Sequence, residues 1–186
     1  MLKNKLQDKG ELSRRLLELE VFTFLNAIDF VKKMPYGRNS DRANSNLVLE
    51  ELKGTCSTKH AVLKKIALEQ ESCHVKLYLC IFKMHGSNTP KLKSILDQYA
   101  LDYIPEAHCI LKVAGKFVDV TNAQSAYENI KNDVLEQVEI QPEQIGDYKV
   151  NYHQAYLNKW LKAENRQYSF EELWKIREQC INRLAV

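Results

Sequence analysis

Glycine (6) and proline (4) are scarce in this 186-residue chain, which excludes a fibrous or low-complexity disordered reading. A long apolar run is also missing. The longest strongly apolar stretch, Leu77-Tyr78-Leu79-Cys80-Ile81-Phe82, is far too short to cross a bilayer, so no membrane partner is expected. Neither charge dominates: 27 Lys and Arg stand against 24 Asp and Glu, for a net charge of +3. The basic residues are scattered among acidic ones rather than gathered into a stripe, and nucleic acid is not an expected partner. The opening residues MLKNKLQDKGEL lack the apolar stretch of a secretory signal. Five cysteines form an odd set without the spacing of a disulfide framework. These absences lead us to expect a cytoplasmic protein with reduced thiols, any of which is free to work as a nucleophile.

What is present suits one globular domain over residues 1–186, able to bury a core without disulfides or a structural metal. Hydrophobic residues make up 45% and charged residues 27%, ordinary proportions for such a domain. Apolar residues Leu12, Leu16, Leu17, Val21, Phe24, Leu25, Ile28 and Val31 recur at helical spacing, predicting a helix over 12–33. Met34-Pro35-Tyr36-Gly37 stops it, a polar loop follows, and a short helix is expected over 47–52. Residues 57–69 read as the next helix. His74 to Met84 alternates with period two, as a strand covered in part on both faces.

Thr89-Pro90 opens a short helix through Leu96. Strands at 107–113 and 116–121 meet at Ala114-Gly115, and helices are expected at 124–137, about 153–162 and 170–184. The last carries a capping box, Ser169 with Glu172, and an apolar stripe that includes Cys180. This order is α+β: a core over about 47–122, with the 12–33 helix and the 124–184 helices packed around it.

Within that core, Gly54-Thr55-Cys56 places a cysteine at a helix start. Unpaired N–H groups and the positive end of the helix dipole favour a thiolate there, and a nearby N–H is positioned to donate to an oxyanion. The hairpin supplies the base. A two-residue turn at Ala114-Gly115 opposes Val113 to Lys116 and hence Ile110 to Asp119, putting His108 and Asp119 on one face as diagonal neighbours. A three-residue loop without a bulge would send them to opposite faces. A cysteine, a histidine to take its proton and a carboxylate to hold the ring are the parts of a nucleophilic triad.

These pieces carry a resemblance. Gly54-Thr55-Cys56, the histidine strand His108-Cys109-Ile110-Leu111-Lys112-Val113 and Phe117-Val118-Asp119-Val120-Thr121 together resemble the transglutaminase-like cysteine enzymes, over about residues 50–122. The resemblance implies a papain-related fold, with the cysteine helix packed on a small antiparallel sheet. It also implies acyl-transfer chemistry on an amide or peptide substrate, with no cofactor. Ile110 stands where the family often has an aromatic, and Val120 where it often has a proline; both departures bear on the substrate pocket more than on the triad.

The expected catalytic residues are therefore Cys56, His108 and Asp119, with hydrolysis favoured over transfer to an amine. His60, four residues after Cys56 on the same helix face, and Tyr36, Arg38 and Asn39 in the upstream loop are candidates for the substrate cleft. Nothing selects one of the three loop residues as an oxyanion donor. Three rivals stand beside this reading: a catalytically silent binding or scaffold module, an acyltransferase similar to the arylamine N-acetyltransferases, and a zinc site using Cys56, His60, His108 and Asp119. The remaining thiols read as inert: Cys109 on the opposite strand face from His108, Cys80 mid-strand and Cys180 on the last apolar stripe, while Cys73 is undecided.

Overall fold

A computed structural model describes residues 5–164 and 167–184. The domain expected over 1–186 takes in residues 1–4, 165–166 and 185–186, which lie outside the described residues. The stretch 12–33, expected as one helix, folds as two: α1 (Glu11–Glu18) and α2 (Phe24–Lys33). α1 closes at Glu20, whose φ is +58°. The Glu20 N–H donates to the Leu17 carbonyl and the Val21 N–H to the Leu16 carbonyl, at 3.1 and 2.9 Å. This is a Schellman closure, with Leu16 and Val21 both in the core and glutamate where glycine is usual. Thr23 then caps α2 by accepting the Asn26 N–H at 3.1 Å. The break lets each short helix lay its own apolar stripe on a shared neighbour.

That neighbour is α4 (Cys56–Glu69), which follows α3 (Leu47–Glu51). α4 buries residues on every side and is enclosed by α1, α2, α3 and the sheet. Its last residue returns the contact. The Glu69 carboxylate accepts the Leu12 and Ser13 N–H groups at 3.0 and 2.7 Å and so caps the start of α1.

The sheet has four antiparallel strands: β1 (Val75–Met84), β2 (Ile104–Val113), β3 (Lys116–Val118) and β4 (Val134–Ile140), in the order β3-β2-β1-β4. A 3₁₀ turn at Pro90–Leu92 and α5 (Lys93–Gln98) join β1 to β2. The helix expected over 124–137 does not form. Short 3₁₀ turns at Tyr127–Asn129 and Lys131–Asp133 lead into β4, which pairs along β1. Val134 and Val138 are four apart and mimic a helix stripe, yet β4 forms a strand in which a bulge at Leu135 turns Val134 to one face of the sheet and Val138 and Ile140 to the other. Pairing with β1 decides between the two, because strand preference is set by tertiary partners.

α6 (Asp147–Ala163) and α7 (Phe170–Leu184) complete the chain. Val75, Leu77, Leu79 and Ile81 of β1 join Ala107, Cys109, Leu111 and Val113 of β2 in a core against α1, α2 and α4. A second core gathers Phe82, Met84, Leu92, Leu96 and Ile104 against Leu157 and Trp160 of α6 and Leu173, Ile176 and Cys180 of α7. The architecture is α+β, with the sheet covered on both faces.

Candidate active site

The approach to Cys56 is held tightly. Gly54 forms a parallel bridge to the loop ahead of it: its N–H donates to the Pro35 carbonyl, and the Gly37 N–H donates to its own carbonyl, both at 3.2 Å. A β-carbon at Gly54 would lie 2.9 Å from Lys59 Cγ and from Thr58 Oγ1, closer than packed atoms come, so glycine is required here. Thr55 is the N-cap of α4. Its hydroxyl accepts the Thr58 N–H at 3.5 Å, while Thr58 Oγ1 accepts the Thr55 N–H at 3.0 Å, a reciprocal box with threonine in the place of glutamate. Cys56 is thereby the first residue of α4, and its thiol is buried.

The hairpin has the register expected of a two-residue turn. Val113 opposes Lys116 and Leu111 opposes Val118 across Ala114 and Gly115, whose φ values are +47° and +85°. The β2–β3 ladder ends at Leu111–Val118, and from there towards Ile104 that edge of β2 has no strand partner. Cys56 lines a cleft with Glu106, Ala107 and His108 of that stretch. Continuing past Val118, Asp119 meets His108: His108 Nε2 lies 2.9 Å from Asp119 Oδ2. Asp119 Oδ1 accepts the Thr121 N–H at 2.9 Å, which fixes the carboxylate from its other side. With Nε2 committed to Asp119, Nδ1 is the His108 nitrogen left for Cys56, which lines the same cleft.

Charge is distributed to match. Burial pushes the Cys56 thiol up, but the Lys149 ammonium and then the His108 ring outweigh it and bring the thiol down to about 6. Burial pushes His108 down, yet Asp119 and then Cys56 hold the ring well above its ordinary value. Asp119, also buried, is held far below the usual carboxylate range by His108. At neutral pH the favoured state is a thiolate beside an imidazolium, backed by a carboxylate.

Three charged residues near this group were not singled out in the sequence. Lys149, in the first turn of α6, places Nζ 3.7 Å from Cys56 Sγ and donates to Ser57 Oγ at 2.7 Å. Glu106 and Arg177 form a forked ion pair beneath, with Arg177 Nε to Glu106 Oε2 at 2.8 Å and the second arm at 2.5 Å. A signal existed for these two. Glu106 lies two residues before His108 and so shares its strand face, and Arg177 interrupts the apolar stripe of α7, where a charge needs a partner. No pattern marked Lys149, whose proximity is purely tertiary.

The four residues proposed for substrate contact divide. Tyr36 and Arg38 line the cleft beside Cys56. Asn39 is buried and turned away, donating to the Lys53 carbonyl at 3.0 Å and to Glu51 at 3.2 Å, and accepting Thr58 Oγ1–H at 2.8 Å. His60 is fully buried and braces the site from behind. Its Nδ1–H donates to the Cys56 carbonyl at 2.6 Å, and its Nε2 accepts the Val120 N–H at 2.9 Å. Both ring nitrogens are thus engaged, and among the described residues no three histidine, cysteine, aspartate or glutamate side chains are grouped to hold a metal.

Burial pushes the His60 ring down to about 4 against an ordinary 6.5. The unfolded chain therefore takes up this proton first, and stability is expected to fall as pH drops from 6.5 towards 4. Urea unfolding across that window should show the slope, and His60→Gln should flatten it; an unchanged slope would mean that His60 does not carry it.

Comparison with family models, with curated proteins and with solved structures finds no match for this chain.

Proposed function

We propose that the chain is a cysteine-nucleophile acyl-transfer enzyme of the transglutaminase-like kind, acting on an amide or peptide bond, with hydrolysis favoured over transfer to an amine. The observation that carries the reading is the position of His108, bonded through Nε2 to Asp119 at 2.9 Å and lining one cleft with Cys56, whose thiol its charge helps to lower. In this reading the Cys56 thiolate attacks the carbonyl carbon. Its oxyanion meets the N–H groups left free in the first turn of α4, together with Tyr36, whose hydroxyl burial keeps protonated. The His108 imidazolium passes its proton to the departing nitrogen as the C–N bond breaks, leaving a thioester on Cys56. His108, now neutral, takes a proton from water as the water adds to the thioester. Collapse then expels the thiolate and releases the acid. Asp119 holds the ring throughout.

Iodoacetamide labelling as a function of pH, with each modified cysteine located by mass spectrometry, tests the assignment. Cys56 should label with a midpoint near about 6 and, at pH 7, ahead of the exposed Cys73 and of the buried Cys80, Cys109 and Cys180. Similar slow labelling of all five thiols would favour a silent binding module instead.

A further inference from the structure

The cleft around Cys56 has two chambers, of about 430 and 400 Å³, which share Tyr36, Cys56, Glu106 and Ile181. They differ in chemistry. The first contains His108 and Asp119 and is lined by apolar Phe82, Met84, Ile130 and Leu184 with neutral amides such as Asn88 and Asn129. The second contains Lys149, Arg38, Arg42 and Arg177 against Glu106 and Glu178. Both carboxylates there are already engaged: Glu106 by the two arms of Arg177, and Glu178 by Arg177 and by Arg38 at 2.9 Å. Arg177 is therefore committed. Lys149 and Arg38 keep donors beyond the bonds named, and Arg42 makes only a loose pair with Asp147 at 3.8 Å in which both partners are exposed. The second chamber thus sets four cations against two carboxylates, whereas the first adds a single lysine, Lys91, to His108, Asp119 and the shared Glu106.

The position of His108 gives the cleft a direction. The proton for the departing nitrogen comes from His108, which lines the first chamber and not the second. The amine portion of a substrate must therefore leave through the first chamber. An amide is planar and trans, with its acyl and nitrogen substituents pointing away from each other. The acyl portion thus extends from the sulfur into the second chamber.

On the reading of Cys56 as the nucleophile, we infer that the substrates are amides whose acyl portion carries a carboxylate, recognised by Lys149, Arg38 and Arg42, and whose amine portion is uncharged. An anionic acyl chain would balance the excess of cations over carboxylates in the second chamber, whereas a cationic one would meet like charge in a partly desolvated space. Opposite orientation would set the acid among apolar side chains beside Asp119.

Paired alkylation by iodoacetate and iodoacetamide tests this on the intact protein, with the exposed Cys73 as an internal reference. At pH 7 the iodoacetate-to-iodoacetamide rate ratio at Cys56 should exceed that at Cys73 by about tenfold, as expected when an anionic reagent enters a net-positive chamber. The double variant Arg38→Gln/Arg42→Gln, both at exposed positions, should lose most of that preference, read as the ratio of the two reagents within the variant so that any common change in Cys56 reactivity cancels. Rapid iodoacetamide labelling of Cys56 with no greater iodoacetate preference than at Cys73 would overturn the anionic-acyl assignment and leave the nucleophile intact. Labelling of Cys56 by both reagents no faster than Cys73 would overturn the nucleophile and this inference with it.

Discussion

Replacing His108 with alanine should cut the rate of Cys56 alkylation at pH 6 by about 10²-fold. The thiol stands at about 6 because Lys149 and His108 together overcome burial. With the ring gone, burial opposes Lys149 alone. A return to an ordinary thiol value near 8.5 lowers the thiolate fraction at pH 6 from about one half to well under about 1%. The sign follows from the direction of the shift. A lowered thiol pKa gives reactivity that is present above about 6 and lost as pH falls through that value. The raised His108 value keeps the ring protonated through the same window, so thiolate and imidazolium coexist at neutral pH. The profile of the variant should move to higher pH rather than merely shrink. A shift of less than about half a pH unit would mean that Lys149 by itself holds the thiolate, and the His108 assignment would fall. Lys149→Met measured alongside separates the two contributions, and a double-mutant cycle reports whether they couple through the sulfur.

The second large effect concerns stability. Arg177→Met should destabilise the fold by about 3–5 kcal/mol, because it leaves a charged Glu106 in a buried site. Glu106 is 6% exposed and its forked bonds to Arg177 are its principal compensation. His153 is a second partner at 3.9 Å, but burial lowers its pKa and its Nε2 is directed to the Pro105 carbonyl at 2.8 Å, so Arg177 carries the larger share. For a chain of this size the loss corresponds to a fall in Tm of about 10 °C by calorimetry. The double variant Glu106→Gln/Arg177→Met should recover a large part of it, as removing both charges avoids the isolated anion. A single variant within about 1 kcal/mol of the parent would show that water reaches Glu106 and that the pair is screened like one at the surface.

Several features of the site were legible in local patterns. The period of two around His108, read with a two-residue turn at Ala114-Gly115, placed it beside Asp119. Glycine two residues ahead of Cys56 marked the start of α4. Other features left no local mark. Three helix ends close on left-handed Glu20, Glu71 and Ala100 rather than on glycine, so the break between α1 and α2 carried no glycine signal. Val134 and Val138 suited a helix as well as a strand. His60 and Asn39 have polar side chains of the kind found in clefts, but His60 ties the Cys56 carbonyl to the Val120 N–H and Asn39 ties the Lys53 carbonyl to the Thr58 hydroxyl, both behind the site.

By itself the sequence determined what depends on neighbours along the chain: the α+β order, the helix that begins at Cys56, and the hairpin register that sets His108 against Asp119. Turn geometry, capping and the alternation of side chains act over a few residues, so a linear reading captures them. Only the tertiary structure decided that β4 is a strand, that Lys149 lies 3.7 Å from the sulfur, and that Arg177 neutralises Glu106 from 71 residues away. Those outcomes rest on desolvation and charge pairing between segments distant in sequence, which no local pattern encodes.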